Sequence, residues 1–347
     1  MVKDKENVQF GVVGCGAIGK RHLAVVSSDA ETTLTAMCEV DRAKHEDLVR
    51  LYPRVPIYEK FESFLQHPGL DVVAICTPHG LHASMAIAAL KAGQHVLVEK
   101  PMALSVCAAQ AMIAAAKDND RCLMVVKQNR YNVPIALAKK AIDEGHLGRL
   151  LMIKADVLWN RRQEYYSGSS WRGRRLLEGG SLFTQVSHFI DLLVWWCGDV
   201  IEARTLTTTA NHRIEIEDNG AAALRFSSGT LGSLAWTTCV YRKNYEGSIT
   251  IVGERGTIKI GGEYLNKIEF WDVENYPMPE NIEFVDQPNA YGTYKGSSSN
   301  HDKVIQDVAA RLLRERLNVV EGDEGIRTIQ AIERIYDACG YPRRESA

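Results

Sequence analysis

The sequence predicts an α/β protein in which a doubly wound parallel sheet is followed by an α+β domain with an open, mainly antiparallel sheet. Short apolar runs alternate with amphipathic helical stretches over the first 125 residues, as parallel strands and crossover helices do. From residue 126 this alternation gives way to longer helices and then to strand-like segments. Since 347 residues are enough for two cores, we predict two domains, 1–125 and 126–347.

Five apolar runs define the predicted parallel sheet. They are four to six residues long, are rich in Val, Ile, Leu and Cys, and occupy residues 8–13, 34–38, 72–76, 95–98 and 122–126. Near-continuous apolarity at this length suits strands that are buried on both faces. Amphipathic segments such as 84–91 and 105–117 supply the helices of βαβ units with right-handed crossovers.

The second predicted domain mixes helices with strands. Helices are predicted over 134–145 and 181–196, with a strand over 150–159 between them. From 201 to 273 the pattern is that of β-structure, with strands over 221–226, 231–238, 248–252 and 257–260. Two helices over 301–318 and 322–339 close the chain.

A glycine-rich turn, Gly-Cys-Gly-Ala-Ile-Gly at 14–19, follows the first predicted strand and opens a helix. In such a turn the first glycine permits the bend, the second lets the backbone approach a pyrophosphate, and the third lets the helix pack on the strand. The helix N-terminus adds free N–H groups and a partial positive charge. We predict that a dinucleotide cofactor contacts Gly14, Gly16, Ala17, Ile18 and Gly19.

An acidic residue follows the second predicted strand at the spacing expected for a dinucleotide site. Glu39 lies 23 residues after Gly16, and its carboxylate is suited to accept hydrogen bonds from ribose hydroxyls and to repel a 2′-phosphate. NAD is therefore favoured over NADP. Asp41 and Arg42 are assigned to the same site, although the charge of Arg42 argues for NADP. The alternative is a structural turn with a chance acid.

Polar residues also follow the third predicted strand, at the end where open parallel sheets bind their ligands. We assign Thr77, Pro78 and His82 to the walls of the cofactor site. For His82 a helix-capping or surface role is an equal alternative.

The fourth predicted strand ends in Glu99-Lys100-Pro101. Lysine is almost never fully buried unless it is paired, so core packing explains Lys100 poorly. Proline restricts the residue before it and makes a cis peptide bond available. We assign Glu99 and Lys100 to the cofactor site and Lys100 to proton transfer, with a plain surface lysine as the alternative.

A Gly-Gly pair at 179–180 precedes a segment that contains Thr184 and His188. On one helix these two residues, four apart, share a face. Histidine titrates near neutral pH and is suited to take a proton from a carbinol as hydride leaves. We assign both residues to the catalytic centre, with a satisfied core histidine as the alternative.

Residues 159–175 combine five arginines with several aromatic residues. Arginine binds carboxylate or phosphate through two parallel hydrogen bonds, and aromatic rings stack on sugars or bases. This composition favours an anionic small-molecule substrate, and a solvated loop or a subunit contact is the alternative. The predicted substrate-binding residues are Asn160, Arg161, Tyr166, Trp171 and Arg172.

Charge and composition limit the classes of partner that the sequence allows. The formal net charge of −2 gives no global attraction to nucleic acid or to anionic membranes, and we expect neither as a partner. No apolar run approaches the roughly 20 residues that span a bilayer. The eight cysteines form no Cys-x-x-Cys pair and no metal-ligand spacing, so we expect no metal. With a polar N-terminal stretch as well, the sequence favours a cytoplasmic protein.

Together, the turn at 14–19, Thr77-Pro78, Glu99-Lys100-Pro101 and the Gly-Gly…His188-x-Ile-Asp segment resemble the Gfo/Idh/MocA oxidoreductases over nearly the whole chain. The resemblance implies a Rossmann domain, an α+β domain whose open sheet forms a homodimer or homotetramer, and sugars or cyclic polyols as substrates. It implies that Lys100 and His188 serve hydride transfer. We favour His188 as the base, and the reverse assignment stays open.

Segments 127–132 and 165–173 are similar to those of a narrower group, which oxidises C3 of UDP-N-acetylglucosaminuronic acid in surface-polysaccharide clusters. This similarity assigns Gln128 to the cofactor site and implies that the arginines bind a carboxylate and a diphosphate. Many family members carry an acid or asparagine where this chain has Thr184, so an Asp–His relay is not expected. A free-sugar or inositol dehydrogenase, or a cofactor-sensing binding protein without turnover, are the alternatives.

Overall fold

The structure is a computed structural model that describes residues 6–280, 282, 288–290, 295–315 and 319–342. Within these residues the chain forms two compact units. The first unit comprises the described parts of Met1–Lys127 and His301–Ile326, and the second comprises those of Gln128–Asn300 and Arg327–Ala347.

The strands of the first unit are β1 (Val8–Val13), β2 (Thr32–Cys38), β3 (Ile57–Tyr58), β4 (Val72–Ile75), β5 (His95–Val98) and β6 (Leu123–Val125). They form one parallel sheet in the order β3-β2-β1-β4-β5-β6, which is the doubly wound arrangement that the apolar runs predict. Short strand β3 was not predicted, since two residues carry no periodicity.

Strands of the second unit are β7 (Leu150–Leu158), β8 (Val200–Thr208), β9 (Asn219–Phe226), β10 (Leu231–Thr237), β11 (Glu246–Gly253), β12 (Gly256–Gly261) and β13 (Lys267–Val273), with the short pair β14 (Pro288–Ala290) and β15 (Lys295–Ser298). The first seven form one sheet in the order β13-β12-β11-β7-β10-β9-β8. Strands β7 and β10 pair in parallel and the other neighbours pair antiparallel, so the predicted open, mainly antiparallel sheet is confirmed.

The α-helices are α1 (Ala17–Ser28), α2 (His45–Leu51), α3 (Phe61–Leu65), α4 (His82–Lys91), α5 (Val106–Asp118), α6 (Val133–Asp143), α7 (Gln163–Ser167), α8 (Arg175–Glu178), α9 (Ser181–Thr184), α10 (Ser187–Cys197), α11 (His301–Arg314) and α12 (Gly322–Asp337). Short 3₁₀ helices span Arg42–Lys44, His79–Leu81 and Gln128–Tyr131. Among the described residues, none of the helices is both long and apolar enough to cross a membrane.

Four strands of the first sheet end side by side. Their last residues are neighbours in the register of the sheet: Val13, Cys38, Ile75 and Val98. The glycine-rich turn, Glu39, Thr77 and Lys100 therefore all follow at one edge of the sheet, although up to 86 residues separate them in the chain.

Residues 316–318, the end of the helix predicted over 301–318, are outside the described part of the chain. Residues 301–315 and 319–326 fall in the first unit and not in the predicted second domain, 126–347. They belong to the first unit because α11 packs on α1 and β1, and because the chain then runs along β6. The Val125 N–H donates to the Val320 carbonyl at 2.8 Å, and Glu321 forms an isolated antiparallel β-bridge with Met124. Residues 301–326 thus complete the first core from a distant part of the sequence.

The predicted helix over 181–196 is two helices. Val186 N–H donates to the carbonyl of Ser181, five residues back, at 3.1 Å, which interrupts the regular helical pattern. A new ladder then begins at α10 with the bond from Ile190 N–H to the Val186 carbonyl. Thr184 and His188 therefore lie on different helices, and the prediction that they share one helical face is wrong.

Candidate active site

The glycine-rich turn has the backbone that its sequence predicts. Gly14 has φ +83°, and a Cβ on Gly19 would lie 2.0 Å from the Gly14 carbonyl oxygen, so helix α1 requires glycine there to pack on the turn. A Cβ on Gly16 would meet nothing within 4 Å. The turn therefore leaves open space beside the backbone at Gly16, where a bound group can approach it.

The N-terminus of α1 is suited to bind a pyrophosphate. Gly16 is its N-cap and makes no side-chain capping bond, and its first turn, which begins Ala17-Ile18, contains no acidic residue. Helix N–H groups and the helix dipole favour an anion at such an end. These residues therefore fit the phosphates of NAD.

Glu39 is buried, and its carboxylate binds backbone groups at the sheet edge. One oxygen accepts the Cys15 N–H at 2.9 Å and the other accepts the Asp41 N–H at 2.9 Å. Lys44 Nζ lies 3.4 Å from the same carboxylate. Glu39 thus ties the glycine-rich turn to the chain that follows β2, a structural role in addition to the predicted ribose contact.

Asp41 and Arg42 lie on the surface just beyond Glu39. Asp41 accepts the Ala43 N–H and begins the 3₁₀ helix there. The guanidinium of Arg42 forms two bonds with the carboxylate of Glu59, at 2.7 and 2.8 Å. Arg42 thus pairs with Glu59 at an exposed position, where such an ion pair is weak.

His82 lies beneath the loops that follow β4 and β5. The imidazole is fully buried, with Nε2 2.9 Å from the Thr77 carbonyl and Nδ1 2.7 Å from the Pro101 carbonyl. Burial lowers the pKa of His82. Both ring nitrogens therefore face backbone oxygens. Thr77 Oγ1 contacts Met85 Sδ at 3.5 Å, and Pro78 precedes the 3₁₀ helix.

Glu99 and Lys100 lie at the end of β5. The Lys100 N–H donates to Glu99 Oε2 at 3.1 Å, and the Lys100–Pro101 peptide bond is cis. The other oxygen of Glu99 lies 2.9 Å from His22 Nε2 and 3.3 Å from His301 Nε2. Neither histidine was predicted as a site residue, since they lie far from Glu99 in sequence.

In the second unit, His188 is buried at the start of α10. Gln128 Nε2 lies 3.5 Å from His188 Nε2, so the structure brings together these two predicted residues. Thr184 Oγ1 donates to the Gly180 carbonyl at 3.3 Å and lies close enough to Glu178 to affect the pKa of that carboxyl. The sequence did not single out Glu178, whose burial raises its pKa to about 7.

Asp191, one turn after His188, forms a buried ion pair that was not predicted. Its two oxygens accept from Arg130 Nε and Nη2 at 2.9 and 3.0 Å, and Thr328 Oγ1 donates to Oδ1 at 3.0 Å. Arg130 also lies over the ring of Trp195. This network fixes α10 against the segment that carries Gln128.

Arg161 is buried in the arginine-rich segment and is held by its neighbours. Nη1 donates to the Asn160 carbonyl at 2.7 Å and to Asn244 Oδ1 at 3.2 Å. Asn160 Nδ2 donates in turn to the Val240 carbonyl. The guanidinium lies over the rings of Trp159 and Tyr165, so the side chain is fixed from several directions.

Arg172 contacts two aromatic rings of the same cluster. Its guanidinium is 4.1 Å from the ring centre of Tyr165 and 5.4 Å from that of Trp171. Tyr166 is buried, and its hydroxyl donates to Thr238 Oγ1 at 3.1 Å. The predicted substrate-binding residues therefore form one cluster in the second unit, with two guanidinium groups on the Tyr165 ring.

Comparison with known proteins agrees with this geometry. Residues 8–127 match the family described as "Oxidoreductase family, NAD-binding Rossmann fold", and residues 139–341 match "Oxidoreductase family, C-terminal alpha/beta domain". The crystal structure of the WlbA dehydrogenase from Bordetella pertussis, in complex with NADH and UDP-GlcNAcA, is 34% identical with a TM-score of 0.87 and covers 96% of this chain and 97% of that one.

Two curated relatives act on other substrates. Levoglucosan dehydrogenase from Pseudarthrobacter phenanthrenivorans is 27% identical over 76% of each chain. Inositol 2-dehydrogenase from Rubrobacter xylanophilus is 26% identical over 74% of this chain and 72% of its own. The chain therefore belongs to the Gfo/Idh/MocA oxidoreductase family, and it is an NAD-dependent dehydrogenase of sugars or polyols.

Proposed function

We propose that the substrate is a nucleotide-sugar acid of the UDP-N-acetylglucosaminuronic acid type, and that the enzyme oxidises its C3 hydroxyl. The observation that carries this proposal is the pair Arg161 and Arg172, both held against the ring of Tyr165. Similarity over nearly the full chain to a dehydrogenase whose structure contains NADH and UDP-GlcNAcA supports the same substrate class.

The two arginines suit the charge of such a substrate, which carries a carboxylate and a diphosphate. Guanidinium groups bind both anions through paired hydrogen bonds. Arg161 is buried and fixed by Asn160 and Asn244, whereas Arg172 is only half-buried. We therefore assign direct anion contact first to Arg172, with Arg161 adding positive charge behind it.

The proposed reaction removes one proton and one hydride from the substrate. The hydroxyl proton passes to His188 Nε2, the C–H hydrogen leaves with its electron pair, and the carbon becomes a ketone. NAD⁺, when bound, accepts that hydride. The Gln128 amide nitrogen lies 3.5 Å from His188 Nε2, the nitrogen that is assigned to take the proton.

Lys100 is assigned to stabilise the negative charge that develops on the substrate oxygen. The Thr184 hydroxyl is a hydrogen-bonding group and cannot retain a proton as a carboxylate does. The proton therefore falls to His188 or Lys100. Exchange of their roles is the alternative within the same proposal.

The test is NADH formation with a panel of UDP-N-acetylglucosaminuronic acid, UDP-N-acetylglucosamine, glucose and myo-inositol. Each assay is also run with 2-oxoglutarate, and there the readout is 2-hydroxyglutarate, because NADH that reduces 2-oxoglutarate does not accumulate. Turnover of the acid alone supports the proposal, because only that substrate carries both anionic groups. Turnover of a neutral sugar or inositol alone overturns it and supports the second candidate, which the levoglucosan and inositol relatives favour.

We also propose that the second sheet mediates a homodimer or homotetramer. Large apolar side chains are exposed along its strands, among them Leu206 in β8 at 80% and Leu231 in β10 at 48%. Exposed apolar area of this kind marks association surfaces. Sedimentation equilibrium tests the assembly, and a monomer at micromolar concentration overturns it. Cytoplasmic location stays a prediction.

A further inference from the structure

Three buried titratable side chains converge behind the catalytic lysine in the first unit. His22 comes from α1, Glu99 from the end of β5 and His301 from the start of α11, and their exposed fractions are 1%, 4% and 1%. His22 Nε2 and His301 Nε2 lie 2.9 and 3.3 Å from the same oxygen, Oε1 of Glu99. The assigned mechanism gives the two histidines no role.

The chemistry of the cluster favours an ionised Glu99. Burial alone raises the pKa of Glu99, but the two imidazoles beside it hold that pKa well below its usual range. His22 Nε2 forms a hydrogen bond with Oε1, whereas His301 Nε2 lies 3.3 Å from that oxygen without hydrogen-bond geometry. Burial lowers the pKa of His301.

The second oxygen of Glu99 connects this cluster to the lysine. Oε2 accepts the backbone N–H of Lys100 at 3.1 Å, and His82 contacts the carbonyl of Pro101, the next residue, at 2.7 Å. His82 and the thiol of Cys76, whose pKa burial raises, also interact with the Glu99 charge. The Lys100-Pro101 backbone is therefore held at both ends by buried side chains.

We propose that His22 and His301 are positioning residues for Lys100. They keep the Glu99 carboxylate oriented toward the Lys100 N–H, and His22 joins that bond to the helix that begins at the glycine-rich turn. The carboxylate of Glu99 thereby connects helix α1, which begins at the glycine-rich turn, to the backbone of Lys100. The inference rests on the proposed role of Lys100, and its test below has a readout that needs no substrate.

A metal ion is the competing explanation, since the three ligand atoms lie within 4.8 Å of one another. The separations of 2.9 and 3.3 Å between the imidazole nitrogens and the carboxylate oxygen suit a hydrogen-bonded cluster and a ligand shell alike. Elemental analysis decides the point: one equivalent of zinc bound to the wild type and lost from His301→Leu overturns the proposal.

The main experiment compares His22→Leu with His22→Gln, because a glutamine amide nitrogen can replace Nε2 as the donor and leucine cannot. Hydrogen–deuterium exchange of the peptide 96–103, read by mass spectrometry, reports the Lys100 amide. We expect exchange about tenfold faster in His22→Leu and near the wild-type rate in His22→Gln. Unchanged exchange in His22→Leu overturns the proposal whether or not a substrate has been found.

Activity gives the second readout. We expect kcat about tenfold lower in His22→Leu with little change in KM, and recovery in His22→Gln. Loss of a donor also raises the pKa of Glu99, so kcat of His22→Leu falls as the pH drops into a mildly acidic range where the wild type stays active. If His22→Leu does not fold, His301→Leu and His301→Gln form the same pair. Equal activity and equal pH profiles in a folded pair overturn the proposal.

Discussion

His82 Nδ1 lies 2.7 Å from the carbonyl oxygen of Pro101, in a fully buried position directly below the loop that carries Lys100. Its other nitrogen lies 2.9 Å from the Thr77 carbonyl. One imidazole therefore connects the chain after β4 to the chain after β5. The predicted wall of the cofactor site thus rests on a buried histidine whose ring nitrogens face the backbone.

Replacing His82 by Leu should destabilise the protein. A neutral imidazole has one N–H, so the variant leaves one of the two buried carbonyl groups without its donor, and an unsatisfied buried group costs about 1–3 kcal/mol. We expect the free energy of unfolding in urea to fall by about 2 kcal/mol or more. The control is His146→Leu on the partly exposed surface of the second unit, expected to change it by less than about 0.5 kcal/mol. Equal effects of the two changes would contradict the assignment.

Lys100→Met should abolish turnover while NADH still binds. Methionine keeps much of the length and removes the charge that is assigned to the developing alkoxide, so we expect kcat to fall by about 10²-fold or more. Fluorescence of bound NADH gives the binding constant, and the exposed Lys91 of α4 provides the control Lys91→Met. Retained turnover in Lys100→Met would remove Lys100 from the mechanism.

Arg172→Ala should raise KM for the nucleotide-sugar acid much more than for a neutral sugar. Loss of a paired, charge-assisted contact corresponds to about 1.5–3 kcal/mol, or roughly tenfold to a hundredfold in KM. Arg174 lies two residues away, is exposed, and gives the matched control Arg174→Ala. If Arg172→Ala changes KM equally for both substrates, the arginine does not bind the anionic group.

Glu178 should make the stability of the protein depend on pH. Burial raises its pKa to about 7 from an ordinary value of 4.5, so between these two values the folded state binds more protons than the unfolded state. This contribution is fully present below pH 4.5 and is lost as the pH rises toward 7. The loss reaches up to about 3 kcal/mol.

Urea unfolding at pH 5 and pH 8 measures this dependence against Glu178→Gln, which cannot ionise. We expect the wild type to lose more stability across that interval than the variant does. Parallel losses in the two proteins would assign the pH dependence to other groups, with buried Glu217, whose pKa burial also raises, as the next candidate.

The sequence pattern within short segments predicted the strands of the first sheet and the glycine-rich turn. Continuous apolar runs gave the long strands of the first sheet to within about two residues, because burial on both faces leaves no ambiguity there. The glycine-rich turn was predictable since each glycine answers a local backbone need. The composition of residues 159–175 predicted an arginine-rich cluster, but it did not predict which of the guanidinium groups is buried.

Long-range pairing could not be predicted. Nothing near His22 or His301 in sequence points to Glu99, because the three meet only after the sheet and α11 are assembled. The return of residues 301–326 to the first unit has the same cause. The helix break at Val186 could not be predicted, because an apolar run such as 181–197 does not indicate where a hydrogen bond spans five residues instead of four.

The shared edge of the first sheet has a consequence for how the chain can vary. The strands β1, β2, β4 and β5 each deliver a functional residue simply by where they end. Since strand side chains alternate, inserting one residue in β5 would reverse the faces of the strand residues on one side of the insertion and shift Lys100 relative to the ends of the other strands. Selection should therefore act on the number of residues in these four strands as strictly as on their identity, and insertions should gather in the surface loops instead.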